Sequence, residues 1–76
     1  MDQVAEYNQA LCERVHDMRT AAGFSQSEMA DQLGLRLATW KHYEYRTPLP
    51  AYLMIPVTKL LKVSVNYLLT GSRHER

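Results

Sequence analysis

Apolar side chains recur along most of the chain at the three- and four-residue steps of an α-helix. In the first segment these steps join Tyr7, Leu11, Val15, Met18 and Ala22, which places them on one face. The glycine at position 23 follows at once, and glycine commonly ends a helix in the left-handed conformation. The pattern therefore predicts a first helix over residues 3–22.

A capping signal marks the start of a second helix. Residues 25–28 read Ser-Gln-Ser-Glu, so Ser25 and Glu28 can form a capping box, with Phe24 and Met29 as the hydrophobic staple around it. We expect this helix to span about eight residues and to stop at Gly34.

Three more helices follow. The third begins near Arg36 and takes its apolar contacts from Leu37, Ala38, Trp40 and Tyr43. Residues 45–50 then break the pattern with two prolines and predict a loop. Pro50 suits the first position of a fourth helix, which runs to about residue 61 and contains Pro56, where we expect a kink or a local irregularity. Its predicted inner face consists of Ala51, Met54, Ile55, Thr58 and Leu61.

The last helical segment is short. Ser64 is the expected cap of a fifth helix over residues 65–69, which Gly71 closes, and residues 72–76 are expected to form a short polar tail. With no strand pattern, the chain is predicted to be an all-α bundle, one domain over residues 1–71. The tight glycine turn between the second and third helices is typical of a helix-turn-helix.

Length and composition restrict the class of protein. A chain of 76 residues with 46% hydrophobic and 22% charged residues has the size and composition of one small globular domain. Its apolar runs are far shorter than the ~20 residues that span a membrane, and its polar, acidic beginning is unlike a signal peptide. Cys12 is the only cysteine, so an internal disulfide is excluded. We therefore expect a cytoplasmic protein.

Charge is unevenly distributed along the chain. Residues 1–34 carry two arginines against six carboxylates, a net charge of −4. Residues 35–76 carry seven basic side chains against two acidic ones, a net charge of +5. Such asymmetry indicates a face for a polyanion, although a small domain can also show it by chance.

Several segments together resemble a known family. They are residues 23–35 (GFSQSEMADQLGL), Thr39-Trp40, Tyr43-Glu44 and residues 63–69 (VSVNYLL). In order and spacing they resemble the Cro/CI-type (XRE) helix-turn-helix family of phage-repressor-like DNA-binding domains, over roughly residues 11–71. The resemblance implies a five-helix, lambda-repressor-like fold. It also implies a third helix in the major groove and dimers that read two half-sites about one helical turn apart.

The resemblance also implies which residues meet DNA. Gln26 corresponds to a residue that contacts phosphate and orients its neighbours, and Lys41 to a position that often touches the DNA backbone. The positions that read base edges correspond to Leu37, Ala38 and His42. A leucine there can meet a thymine methyl group. Phosphate contacts are expected from the adjoining basic and loop positions, Arg36, Arg46 and Thr47.

Other residues have two interpretations. Trp40 and Tyr43 are either core residues, which their helical spacing favours, or stacking platforms for bases. The resemblance pairs Glu44 with Arg19 in a buried or half-buried bridge, and a lone carboxylate supports no catalytic role. Cys12 and His16 have the i, i+4 spacing of two metal ligands but lack further cysteines, so an apolar cysteine and a surface histidine are favoured.

The combined prediction is a sequence-specific regulator of transcription, bacterial or phage-encoded, that binds double-stranded DNA at an inverted repeat. We expect a homodimer formed through the fifth-helix region, where Val65, Leu68 and Leu69 exceed the needs of one small core. No catalytic activity, cofactor or metal is expected. The alternative is a helix-turn-helix module that binds proteins, such as an antitoxin or a modulator docked on another regulator.

Overall fold

A computed structural model describes the backbone of residues 3–71 and the side chains from residue 8 onward. No strand occurs within residues 3–71, and the all-α prediction is confirmed. The Tyr7 side chain and the expected polar tail, residues 72–76, lie outside the described residues. The five helices are α1 (Gln3–Ala22), α2 (Gln26–Leu33), α3 (Leu37–Tyr45), α4 (Ala51–Leu61) and α5 (Val65–Thr70).

The caps at the ends of α2 and α5 are those that the sequence predicts. Ser25 Oγ accepts the Glu28 backbone N–H at 3.0 Å, and Glu28 Oε1 accepts the Ser25 N–H at 2.8 Å. Gly34 ends α2 with a φ of 71°, in the left-handed region that glycine tolerates best. Ser64 Oγ accepts the Tyr67 N–H at 2.9 Å at the start of α5. The capping box and both cap serines are confirmed.

Two predicted boundaries on either side of the α3–α4 segment are wrong by one residue, and α5 ends one residue later than predicted, at Thr70. Tyr45, expected in a loop, is the last residue of α3. Pro50 is the N-cap of α4 and not its first helical residue, because its ψ of 155° is extended. None of these shifts moves an element, and α4 runs without interruption through Pro56.

The core lies where α1 meets the other helices. Its fully buried side chains include Leu11, Val15, Met29, Trp40 and Val57. Since α3 packs on both α1 and α2, and α1 also packs on α4 and α5, the first helix is the centre of the fold.

The predicted inner face of α4 is wrong in part. Leu53, Val57, Thr58 and Leu61 are buried, whereas Ala51 is exposed and the Ile55 side chain is 54% exposed. The reason is that α4 is apolar almost all round, so periodicity alone does not say which stripe faces the core.

Apolar contacts were also predicted for two residues of α3 that the structure places elsewhere. Leu37 is 39% exposed and Ala38 is exposed, so neither is a core residue. The core side of α3 is already filled by Trp40, which is fully buried, and by the partly buried Tyr43. Leu37 and Ala38 therefore remain on the outer face of the helix.

The α5 residues chosen as a dimer surface do not form one exposed patch. Leu68 is fully buried in the core, and Val65 and Leu69 are half-buried. Arg14 holds this helix against α1, because its Nε donates to the Leu68 carbonyl at 2.9 Å and its Nη2 to the Leu69 carbonyl at 2.8 Å. Leu68 is a core residue because α5 packs against both α1 and α4.

None of the helices within residues 3–71 combines the length and the apolar character that crossing a membrane requires.

Candidate nucleic-acid interface

The outer face of α3 and the segment after it carry most of the residues predicted to meet DNA. Seven of these eight side chains are exposed: Arg36, Leu37, Ala38, Lys41, His42, Arg46 and Thr47. Arg36 is the N-cap of α3 but makes no capping hydrogen bond with its side chain, so its guanidinium is not used within the helix. The structure thus places these seven on one helix and on the residues that directly precede and follow it.

The inner face of α3 is fixed by one carboxylate. The Glu44 side chain has no exposed surface, and its ion pair with Arg19 places Nε 2.6 Å from Oε2. Trp40 Nε1 donates to the same oxygen at 2.6 Å. The other oxygen, Oε1, accepts from Gln26 Nε2 at 3.0 Å and lies 3.0 Å from His16 Nδ1. The Glu44–Arg19 bridge that the resemblance implied is confirmed.

This network joins three helices at one point. Arg19 and His16 belong to α1, Gln26 opens α2, and Glu44 and Trp40 belong to α3. Arg19 Nη1 also donates to the Phe24 carbonyl at 2.6 Å, which ties the α1–α2 turn to the network. Since a charge in an apolar interior is tolerated only when paired and hydrogen-bonded, the network holds the three helices in one arrangement.

The electrostatics of Glu44 reflect these contacts. Burial by itself would raise the pKa of its carboxyl, but hydrogen bonds from Arg19, His16 and Gln26 outweigh it and lower the pKa below its usual value. Glu44 is therefore ionised at neutral pH, and the positive charge of Arg19 balances it. No charge on the inner face of α3 is left uncompensated.

Gln26 is the one predicted interface residue that is not exposed. It is half-buried at the first position of α2, and its amide nitrogen donates to Glu44. Gln26 therefore links the start of α2 to the inner face of α3, a contact that agrees with the orienting role expected of it. Its amide oxygen makes no hydrogen bond within the described residues.

The segment after α3 is anchored rather than loose. The Thr47 N–H donates to the His42 carbonyl at 3.0 Å, and Cys12 Sγ lies 3.6 Å from the Thr47 carbonyl oxygen. Leu49 is buried in the core two residues later. Arg46 and Thr47 are thus held beside the end of α3 with exposed side chains.

The exposed charges differ in sign between the two halves of the chain. In residues 8–34 the exposed charged side chains are all acidic: Glu13, Asp17, Glu28 and Asp31. In residues 35–71 they are all basic: Arg36, Lys41, Arg46, Lys59 and Lys62. Arg14 and Arg19 are used in internal hydrogen bonds, and Glu44 is buried, so folding sharpens the asymmetry of the sequence.

Two parts of the network were missed by sequence reasoning. His16, expected to be a surface histidine, is 48% exposed but directs Nδ1 at Glu44. The indole N–H of Trp40 also bonds Glu44, although Trp40 was expected either to pack in the core, the favoured interpretation, or to stack on bases. The available signal was helical spacing, because His16 lies three residues before Arg19 and Trp40 four before Glu44.

The Cys12–His16 spacing does not develop into a metal centre in the described part of the chain. There, no three His, Cys, Asp or Glu side chains are grouped as a metal ion would require. Cys12 is buried, and this burial, with the nearby Glu13 carboxylate, raises the pKa of its thiol. Burial and a raised thiol pKa are typical of a structural cysteine and not of a reactive one.

Comparison with known families and proteins adds no further identification. No protein-family model matches the chain, and no curated protein matches it.

Proposed function

We propose that this protein is a regulator of transcription that binds duplex DNA as a homodimer, with α3 as the recognition helix of a lambda-repressor-like helix-turn-helix. The supporting observation is the division of α3 into two faces. The inner face is buried and neutral as a whole, while the outer face offers cations and hydrogen-bond donors with no exposed carboxylate. An α-helix fits the major groove of B-DNA, and such a face suits its acceptors and phosphates.

Each exposed residue has a role that its chemistry suits. Lys41 is a flexible point charge, which matches a phosphate oxygen that carries no sequence information. His42, about 100° further round the helix, can donate a ring N–H to N7 or O6 of guanine. Leu37 and Ala38 present methyl groups to thymine.

The flanking residues set the position of the helix on the duplex. Arg36 precedes α3 and Arg46 follows it, so the two guanidinium groups lie at opposite ends of the recognition helix. Both suit phosphates on the two sides of the groove, with Thr47 as a further donor. The buried network behind α3 keeps this spacing fixed, which lowers the entropy lost on binding. A regulator of this kind works in the cytoplasm.

A second candidate function is a protein-binding module that uses the same helices. It is favoured by apolar side chains that remain in solvent, since Tyr45, Tyr52 and Ile55 are 67%, 74% and 54% exposed. Leu37 adds to them at a position where a base-reading side chain would be polar. This candidate predicts no affinity for duplex DNA.

The experiment that tests the DNA proposal starts with selection of bound sequences from a random duplex library. The selected duplex and a random duplex are then compared in binding assays of the Lys41→Ala and His42→Ala variants. Lys41→Ala should weaken both affinities by a similar factor, because a phosphate contact does not depend on sequence. His42→Ala should cost about 1–3 kcal/mol on the selected duplex and little on the random one.

Lys59→Ala is the matched control, since it removes an exposed charge from α4, outside the proposed interface. The ratio of selected to random affinity should be unchanged in this variant. If no common sequence is selected and no duplex is bound at low salt, the DNA proposal is overturned in favour of the protein-binding module. If His42→Ala instead lowers both affinities equally, His42 contacts the backbone and not a base.

A further inference from the structure

A stripe of exposed side chains runs along the outer side of α4. Tyr52, Ile55 and Lys59 follow one another at steps of three and four residues, so they share one face of the helix, called the α4 face below. The Tyr52 and Ile55 side chains are 74% and 54% exposed, which leaves a large apolar surface in contact with water. The α4 face includes none of the residues assigned to DNA contacts. It is therefore distinct from the outer face of α3.

Tyr52 is tied to α3 although most of its side chain is exposed. Its hydroxyl group is hydrogen-bonded to that of Tyr43, and burial, followed by this neighbour, raises the pKa of the Tyr43 phenol. An aromatic side chain that is already positioned loses little conformational entropy when a partner packs on it. Tyr52 thus has the properties of an anchor residue in a protein interface.

Pro56 leaves one backbone acceptor of α4 without its usual donor. In an α-helix the carbonyl of residue 52 accepts the N–H of residue 56, and proline has no N–H. The carbonyl concerned belongs to Tyr52, a residue of the α4 face. A partner that brings a hydrogen-bond donor beside the apolar side chains can satisfy this carbonyl.

The charge around the α4 face has one sign. Lys59 belongs to the face, Lys62 follows at the end of α4, and every exposed charged side chain in residues 35–71 is basic. Neither lysine forms an ion pair with a described residue, since the ion pairs found among those residues are the ones on Glu44. An apolar centre with a positive surround is complementary to a partner that has an apolar centre and an acidic rim.

Two other occupants do not match this surface. A second copy docked face to face across a two-fold axis would bring two positive surfaces together. A membrane requires a broad apolar face, whereas the other large apolar side chains of α4 include Leu53, Val57 and Leu61, which are buried in the core. The exposed apolar area is of a size that one helix of a partner covers.

We propose that the α4 face docks an acidic amphipathic helix of another protein. Apolar side chains of that helix pack on Tyr52 and Ile55, and its carboxylates pair with Lys59. The proposal names a surface and a partner chemistry for protein binding while leaving the outer face of α3 to DNA. It rests on neither of the two functions proposed above being exclusive, and it is tested without DNA.

Selection from a library of helical peptides tests this surface. The peptides carry leucines at three- and four-residue steps on one face and random residues at the flanking positions, and they are selected on the immobilised protein. The flanking positions should become enriched in aspartate and glutamate over lysine and arginine. Isothermal titration calorimetry of the most enriched peptide should give a dissociation constant of about 100 µM or tighter.

Variants of the α4 face show where the enriched peptide binds. Ile55→Ser removes apolar contact and Lys59→Glu repels carboxylates, so each should weaken binding at least about tenfold. Lys59→Arg keeps the charge and should stay within about threefold of the wild type. The melting temperatures of these surface variants should remain within about 4 °C of the wild type, which shows that the fold is intact.

The matched control is Tyr45→Ser. It also removes an exposed side chain, but from α3, where Tyr45 lines a different groove together with residues of α1. The affinity for the peptide should be unchanged in this variant.

Four outcomes overturn the proposal. The library yields no acidic pattern, or the peptide binds Ile55→Ser and Lys59→Glu as tightly as the wild type. Alternatively, excess random duplex displaces the peptide, which places it on the DNA surface, or the wild type binds anionic phospholipid vesicles and Ile55→Ser does not, which makes a membrane the occupant. Absence of duplex binding by the wild type overturns the DNA proposal alone, because the peptide measurements contain no DNA.

Discussion

At the scale of single residues, the orientation of α3 depends on how Glu44 is satisfied. Its carboxylate has no contact with solvent and is bonded by side chains from α1, α2 and α3. Moving one of these helices would take its donor away from the buried carboxylate, and leaving a buried charge without its partners costs free energy. Each donor therefore restricts where its helix can lie. The Arg19 pair was foreseen through the resemblance, whereas the contacts of His16 and Trp40 depend on side-chain directions that spacing alone does not give.

The first prediction concerns Glu44→Gln. This change keeps the shape but leaves the Arg19 guanidinium buried without its counter-charge, and should lower the free energy of unfolding by about 3–5 kcal/mol. Urea denaturation followed by circular dichroism measures the loss. Glu13→Gln, an exposed neutralisation on α1, is the control and should change stability by less than about 0.5 kcal/mol.

The same pair of variants gives a pH dependence. Because the pKa of Glu44 is lowered in the folded protein, the unfolded chain binds its proton first as the pH falls. The stability that the ionised carboxylate contributes is present above its ordinary pKa of about 4.5 and is lost below that, through the lower folded-state value. As the pH falls below 4.5, the free energy of unfolding should therefore decrease less for Glu44→Gln than for the wild type. An equal decrease in both proteins would contradict this role of Glu44.

At the scale of elements, the short helices depend on their ends. An isolated helix of eight residues is not stable in water, so α2 needs its caps as well as its packing. The capping box could be predicted because it is local, with both partners within four residues. The inner face of α4 could not, since an almost wholly apolar helix can bury several alternative stripes.

Ser25→Ala tests the contribution of the cap. It leaves the Glu28 N–H without its acceptor and should cost about 1 kcal/mol, a fall in melting temperature of roughly 4–8 °C for a domain of this size. Ser27→Ala, on the same helix but outside the capping box, is the matched control and should have little effect. Equal midpoints for the wild type and Ser25→Ala would mean that the helix end is held by packing alone.

At the scale of the whole molecule, folding removes from the surface the charged side chains that run against the uneven charge distribution of the sequence. Internal bonds use Arg14 and Arg19, and burial removes Glu44 from the surface of the basic half. The exposed acids of residues 8–34 and the exposed bases of residues 35–71 are thus left facing solvent.

The salt dependence of the proposed DNA binding measures whether these exposed bases contact phosphates. If each subunit neutralises three or four phosphates, a dimer neutralises about 6–8, and the logarithm of the binding constant should fall with log salt at a slope of roughly −5 to −7. Titration of a random duplex at several salt concentrations gives the slope. A slope near zero would show that the exposed bases do not contact phosphates.

The sequence by itself determined the five helices, most of their ends, the capping box of α2 and the serine cap of α5, because periodicity, caps and glycines act within a few residues. The outer face of α3 was indicated only through the family resemblance, because the apolar pattern had counted the exposed Leu37 and Ala38 among the contacts of the core. Only the tertiary structure decided which side of α4 is buried and that Leu68 belongs to the core. It also decided that Arg14 reaches α5 across 54 residues and that Tyr52 contacts Tyr43. These depend on contacts between distant segments, whose geometry no local pattern specifies.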